Sequence, residues 1–501
     1  MIHTPHVDWF ALSTILVLLG ASFVALLAAV LVPRSWRRPV GATVSGLAFA
    51  GGLVTSIWLY VDSADPHRVI ANSFYRDRWT ALAQAIICGV GLATTLLAVE
   101  HVPGWNAPAE RRDDHIAEFF ALLLACAGGM AFFVGAANLM VLFLGLEWFS
   151  IALYVMCAID YDLEGSLEAG LKYLVVGSFG SAALLFGSAL VYAATGRIDF
   201  VGITHQIGAL GLSKDTLLAL GLALIIAGLG FKSSSAPFHM WTPDVYQGAP
   251  TTVTAFMAAA TKVAAFALAM RVMQTAFPQD SRLWTWAFAG VAVASLVIGN
   301  FAALVQKNVK RILAYSSISH ASFMLIGLSV GTALGGRALM YYLIPYAAMA
   351  FGSFAVVAAR ERELGEPVTL ENLAGFGWER PFLGVAMWFF LFAFAGLPLG
   401  GGFVGKFYVF SAAYRHGWTW LVIVGVLATL VSLYYYLGIV RAMYMRPSEE
   451  LRVAPVAGGS PPRDTLLQVS VALALAVSVG SLFAVSPLIH LAKHAASALP
   501  F

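Results

Sequence analysis

Gly230-Phe-Lys-Ser-Ser-Ser-Ala-Pro-Phe-His-Met-Trp-Thr-Pro-Asp-Val-Tyr-Gln-Gly-Ala-Pro-Thr-Thr252 is the stretch on which the reading of this chain turns. An unbroken apolar run, Thr216 to Leu229, precedes it and a second apolar run follows it. Lys232, Pro237 and His239 therefore fall inside or at the edge of a membrane span. A lysine at a bilayer centre costs about 2.5–3.5 kcal/mol on insertion scales. Pro237 has no N–H and clashes with the carbonyl of Ser233, so a helix must bend or break there. Backbone groups freed at membrane depth are tolerated only against protein or a watery cavity. Lys232 and His239 are seven residues apart, two turns, so an unbroken helix would carry both on one stripe. Two readings stay open: part of an ion path, or a proline kink with a lysine snorkelling to the surface.

The rest of the chain sets this stretch among many spans. Of 501 residues, 60% are hydrophobic and 11% charged, against about 25% charged in a soluble globular protein. Mean hydropathy is +0.82. The expected class is all-α and polytopic. Fourteen apolar segments are long enough to cross a ~30 Å hydrocarbon core. They start near Trp9, Val40, Trp79, Ile116, Asn138, Ala169, Thr216, Thr251, Trp284, Ile312, Ala338, Phe382, Trp418 and Thr465. The first is too long for a signal-peptide core and follows no basic residue, so it reads as a retained span.

Fourteen Lys and Arg fall on one side of this arrangement (Arg34, Arg37, Arg38, Arg111, Arg112, Lys307, Lys310, Arg311, Arg360, Arg362, Arg380, Arg446, Arg452 and Arg463) and nine on the other. The basic side is expected to face the cytoplasm, which puts both termini outside. The loops leave no room for a soluble domain, and Pro487 to Phe501 leave none for a long lateral helix. Cys88, Cys126 and Cys157 make no C-x-x-C and supply no iron–sulfur or zinc ligand set. No dinucleotide or P-loop fingerprint is present, and no nucleic-acid signature. No cofactor or metal is expected in this chain.

A second interrupted segment, Gly396-Leu-Pro398-Leu-Gly-Gly-Gly-Phe-Val-Gly-Lys406, lies five segments after the first. Because five is odd, equivalent units would be inverted in the membrane, and paired interrupted helices point to a transport site. Chance pairing of two proline breaks is the competing reading.

Of eight lysines, four (Lys172, Lys232, Lys262 and Lys406) fall inside spans, whereas of twenty-one arginines only Arg271 and Arg441 do, both toward an end. Arginine cannot release its proton in a protein, while a buried lysine can. The pattern suits reversible protonation. Glu147 belongs with these lysines, roughly 14 Å into its segment at 1.5 Å per residue, and its partner must come from another helix. A proton-exchanging Glu–Lys pair and a static pair clamping two helices both fit, although buried ion pairs are poor stabilisers. Lys262 lies near mid-depth, where snorkelling is difficult. Lys172 is near a segment start, where snorkelling suffices. His320 lines a hydrated path or is a hydrogen-bonded interior histidine. Asp244 reads as a turn or cap, Lys310 and Arg311 as positive-inside residues, and His3, His6, His490 and His494 as solvated.

Taken together, Leu-Gly-Leu-Glu147, Leu-Lys172-Tyr, Phe-Lys232-Ser-Ser-Ser-Ala-Pro-Phe-His239-Met-Trp-Thr-Pro-Asp-Val-Tyr, Lys310-Arg-Ile-Leu-Ala-Tyr-Ser-Ser-Ile-Ser-His320 and the Pro398 to Lys406 segment resemble the antiporter-like subunits of respiratory complex I. The likeness covers essentially the whole chain and is nearest to the N type of the bacterial proton-pumping NADH:quinone oxidoreductase. Lys406 stands where the M type and one type of sodium/proton antiporter subunit usually have Glu. The L type has extra helices and a long lateral helix. Thr252 departs from the proline common at that place.

The resemblance implies fourteen helices with broken helices seven and twelve. It divides the chain into three N-terminal helices (1–115), two inverted five-helix units (116–277 and 278–446), and a last helix with a short tail (447–501). It implies that Glu147 pairs with Lys232, that Lys172 sits beside them, that His239 bridges toward Lys262, and that Lys406 ends the second half. Lys310 and His320 would be secondary members, and Pro237 and Pro398 the breaks. NADH, FMN, iron–sulfur clusters and quinone would belong to partner subunits, membrane and peripheral, in a bacterial plasma membrane. The other classes open at this stage are a subunit of a multisubunit cation/proton antiporter, or an M-type subunit, and a structural scaffold with static lysine pairs.

Overall fold

The computed structural model describes residues 7–100, 115–445 and 464–501. Arg111, Arg112, Arg446, Arg452 and Arg463 of the basic-loop count lie outside them, as do His3 and His6.

The chain is helical almost throughout. Its N-terminal part runs through α1 (Ser13–Leu31) and α2 (Arg34–Asp62), a short antiparallel hairpin of β1 (His67–Val69) and β2 (Phe74–Arg76), and α3 (Arg78–Glu100). Then come α4 (Ile116–Val134), α5 (Leu139–Cys157), α6 (Glu164–Thr195), a short α7 (Phe200–Leu210), α8 (Thr216–Lys232), α9 (Trp241–Gly248) and α10 (Thr251–Ala276). The second half holds α11 (Ser281–Leu304), α12 (Val309–Ser329), α13 (Ala333–Leu364), α14 (Phe376–Glu379), α15 (Pro381–Ala395), α16 (Gly401–Arg415) and α17 (Thr419–Met445). α18 (Thr465–Phe483) and α19 (Val485–Ala496) close it.

Among the described residues, twelve helices are long and apolar enough to cross a membrane uninterrupted. With the two interrupted segments, α8–α9 and α15–α16, they account for the fourteen expected. Three elements go beyond the sequence reading. The hairpin and α7 fall in stretches read as loops, and α19 occupies the short tail. α7 forms because Asp199 caps it, accepting from the Gly202 N–H, and Gly211 ends it in the left-handed conformation.

One junction occurs twice. Asn138 bridges Asp199 and Asn308 bridges Thr369, the second pair lying 170 residues after the first at both positions. Leu139 N–H donates to Ile198 O at 3.0 Å and Phe200 N–H to Ala137 O at 3.0 Å; Val309 N–H donates to Val368 O and Leu370 N–H to Lys307 O, both at 2.9 Å. Each asparagine also caps the helix it starts, accepting from Val141 N–H at 2.7 Å and from Arg311 N–H at 3.1 Å. α6 and α13 are both 32 residues long and end at left-handed glycines, Gly196 and Gly365. Five crossings separate the two junctions, so they lie on opposite membrane faces.

Burial follows position in the bundle. Every residue of α10 is buried, and the apolar windows of α12 and α13 are 94% buried, against 28% for α17. A polar side chain on α10 is thus shielded from lipid on all sides. α6 and α8 approach so closely that a Cβ on Gly187 would stand 2.7 Å from the Gly221 carbonyl oxygen. Such small-residue seams are how membrane helices gain packing contact. Gly187→Val is therefore expected to push α8 outward and to lower stability by about 1–3 kcal/mol, the usual overpacking range. Thermal melting of the purified assembly measures this, and an unchanged midpoint would contradict it.

Candidate functional site

α8, the first half of the first interrupted segment, stops at Lys232, five residues before Pro237. The serines that follow satisfy the freed backbone. Ser233 N–H donates to Leu229 O, Ser234 N–H to Phe231 O and Ser235 N–H to Gly230 O. Ser233 Oγ reaches Gly230 O at 3.1 Å, and Ser295 Oγ of α11 accepts from Ala236 N–H at 2.8 Å. Ser234 takes a left-handed φ of 59° to make the turn. The helix is broken, so Lys232 and His239 do not share a stripe.

Pro237 has no N–H to give the carbonyl four residues earlier, which is Ser233 O. The Lys262 ammonium, on α10, donates to that oxygen at 2.8 Å. The second break repeats the arrangement. Pro398 leaves Phe394 O free, and the Lys406 ammonium of α16 donates to it at 2.7 Å. Lys406 also lies 4.2 Å from the centroid of the Phe323 ring. Both lysines are buried, Lys262 at 0% exposure and Lys406 at 4%. Among the described residues neither has a carboxylate within salt-bridge distance.

Lys232 is buried as well, at 1% exposure. It donates to Ser150 Oγ at 2.7 Å and Tyr173 OH at 3.0 Å, and stands 4.4 Å from the Phe149 ring centroid. Glu147 does not reach it as an ion pair. The Glu147 Oε1 atom is buried without a hydrogen-bond partner. Glu147 and Ser150 are three residues apart on α5, and Ser150 takes the ammonium. Lys172 is on the surface, at 41% side-chain exposure, bound to Glu168 at 2.6 Å and Asp244 at 2.7 Å. Asp244 also binds Arg311 at 2.6 Å, so it is an ion-network member and not merely a turn residue. The neighbour Tyr173, not Lys172, faces Lys232.

His239 is half-buried and its Nδ1 has no hydrogen-bond partner. The contact between Lys262 and the break is made by the Ser233 carbonyl and not by His239. Lys310, read as a positive-inside residue, is buried at 4% exposure. It donates to Ala249 O at 2.8 Å, with Glu361 Oε1 3.7 Å away. His320 is buried between two phenols, Nδ1 2.6 Å from Tyr342 OH and Nε2 3.1 Å from Tyr436 OH.

The sequence reading missed the hydroxyls: Ser150, Tyr173, Tyr342, Tyr346 and Tyr436. Their signal was tyrosine and serine recurring within apolar spans, as in the Lys172-Tyr and Tyr-Ser-Ser-Ile-Ser-His320 motifs.

The family described as "NADH:quinone oxidoreductase/Mrp antiporter, TM" matches residues 136–432. The chain belongs to this family. It is 40% identical over 439 residues to NADH-quinone oxidoreductase subunit N of Salinibacter ruber, covering 87% of this chain and 85% of that one. To the subunit N of Trichlorobacter lovleyi it is 39% identical over 419 residues, covering 83% and 82%. A chain of respiratory complex I from Thermus thermophilus superposes with a TM-score of 0.76 at 32% identity, over 95% of this chain and 98% of that one. A chain of the Mrp complex from Dietzia superposes with a TM-score of 0.83 at 21% identity, a likeness of fold alone. The resemblance to the N type of the antiporter-like complex I subunits is borne out, and the polytopic all-α class with it. This is an antiporter-like, multi-pass membrane subunit of a multisubunit complex.

Proposed function

We propose that this chain moves protons across the membrane along a buried axis through Lys232, Lys262 and Lys406, driven by redox chemistry in partner subunits of an NADH:quinone oxidoreductase. The observation that carries the reading is the doubled geometry at the breaks. In each half a proline frees one carbonyl at membrane depth, and in each half a buried lysine takes it. A lysine held by a neutral acceptor, with no carboxylate fixing its charge, can exist in either protonation state as its neighbours change. A structural ion pair needs the opposite arrangement.

Glu147 and its unpartnered oxygen would modulate Lys232 through space. Lys310 and Glu361 form the candidate group at the basic face, and His320 joins the lysine sites of the second half. His239 would enter only with a change at the break. The chain divides into the N-terminal helices (1–115), two inverted units (116–277 and 278–446) and the last span with its tail (447–501). The repeated Asn–Asp and Asn–Thr junctions support this division. The basic-loop excess supports termini on the outer face of a bacterial plasma membrane. Flavin, iron–sulfur clusters and quinone belong to partner subunits.

Purification from native membranes in mild detergent tests the reading. Flavin- and iron–sulfur-containing subunits should co-purify with NADH:quinone activity. Recovery of membrane subunits alone, with cation/proton exchange and no redox centre, would replace the reading by an antiporter.

A further inference from the structure

Three polar atoms at the hairpin end of the N-terminal helices are buried with no hydrogen-bond partner: Ser63 Oγ, Arg76 Nε and Gln84 Oε1. They come from three different places in the chain. Ser63 directly follows α2, Arg76 ends β2 and Gln84 lies on α3. All three residues line one cavity of about 10 Å³, together with Tyr75, Asp77 and Thr80. Ser63 is 2% exposed and Gln84 1%. Buried polar atoms are almost always hydrogen-bonded, so three unmatched ones around a single cavity point to a partner they share.

The other polar groups around the cavity are already satisfied. Asp77 accepts from both terminal nitrogens of Arg271 and from the Thr80 N–H, at 2.7, 2.9 and 2.8 Å. Thr80 Oγ1 accepts from Arg271 at 2.8 Å. Arg76 donates from its own terminal nitrogens to Asp8, at 2.7 Å, and to Asp62, which leaves its Nε–H. Gln84 Nε2 donates to Ala131 O at 3.0 Å. A carbonyl can only accept, so this bond fixes the orientation of the amide and the free atom is its oxygen.

The free groups are thus one donor, one acceptor and one hydroxyl that can act as either. A cation would be repelled by the Arg76 guanidinium and could not use its N–H as a ligand. An anion would meet the Gln84 oxygen and the Asp77 carboxylate, with a single fixed donor to hold it. A water molecule matches all three groups. It needs roughly 10–15 Å³ and two to four polar partners.

We propose that this cavity is the site of one ordered water, which accepts from Arg76 Nε–H, donates to Gln84 Oε1 and completes its shell on Ser63 Oγ. The water bridges the end of α2, the hairpin and α3 beside the Arg271–Asp77 pair. The site belongs to the N-terminal helices and the hairpin, so it stands independently of the proton-moving function proposed above.

A cryo-electron microscopy map of the whole complex tests this, at a resolution that shows ordered waters elsewhere in its membrane part. One peak is expected within hydrogen-bond distance, about 2.7–3.2 Å, of Arg76 Nε, Gln84 Oε1 and Ser63 Oγ. In Gln84→Leu, which keeps similar bulk and removes the acceptor, that peak should be lost. A wild-type map that resolves the three side chains and shows no peak between them overturns the proposal. So do contacts of about 2.3–2.6 Å to several oxygens, the signature of a bound cation. A peak that persists unchanged in Gln84→Leu overturns it too, because the amide oxygen would then not hold the water. Should the leucine variant fail to assemble, the wild-type map decides alone.

Discussion

Lys262→Ala is expected to stop proton movement through this chain, and Lys262→Arg is expected to stop it as well. The rate through this path should fall roughly a hundredfold or more, the low end for removing a positioned proton donor and acceptor. Alanine leaves the Ser233 carbonyl without its 2.8 Å donor. Arginine keeps the positive charge and the donor but cannot release its proton. That pair of substitutions separates the two accounts of the buried lysines. If Lys262 served only to hold α10 to the break that follows α8, arginine would preserve function. If it exchanges protons, arginine fails like alanine. Full pumping by the arginine variant, measured as acidification in liposomes carrying the whole complex, would show that Lys262 does not titrate.

The second large effect concerns assembly. Arg271 and Asp77 are fully buried, joined by two bonds of 2.7 and 2.9 Å, with Thr80 Oγ1 accepting a third at 2.8 Å. The guanidinium lies 4.3 Å from the Tyr75 ring centroid. The pair fastens α3 and the β-hairpin to α10. Removing one member leaves the other charge buried and unpaired, which costs about 3–5 kcal/mol. Asp77→Leu or Arg271→Met alone should therefore sharply reduce the yield of assembled complex and its melting temperature. The double change to Leu and Met should recover much of the loss, because apolar replacement of both partners is often neutral. Wild-type melting in either single variant would overturn this account. Arg271, read from the sequence only as lying toward the end of a span, is a buried clamp 194 residues from its partner.

The amino-acid sequence by itself determined where the helices run and where two of them break. Apolar segment length is set by bilayer thickness, and a proline's missing N–H is a local, covalent fact. The carbonyls of Ser233 and Phe394 could thus be known to be free from the positions of Pro237 and Pro398. The lysines within spans were likewise legible, since so few residues at that depth can carry charge.

Only the tertiary structure decided what each group meets. Lys262 finds the Ser233 carbonyl, Lys232 finds Ser150 and Tyr173 instead of Glu147, Lys172 turns outward to Glu168 and Asp244, and Lys310 is buried beside Glu361. These choices depend on the rotation and approach of helices distant in sequence. α6 meets α8 at Gly187 and Gly221, where a Cβ on either would stand 2.7 or 2.9 Å from the other's carbonyl oxygen, and that close approach, not the identity of Lys232 or Glu147, brings Tyr173 to the ammonium. Apolar spans of similar hydropathy carry little record of which neighbour they face, because lipid and protein interior reward them alike.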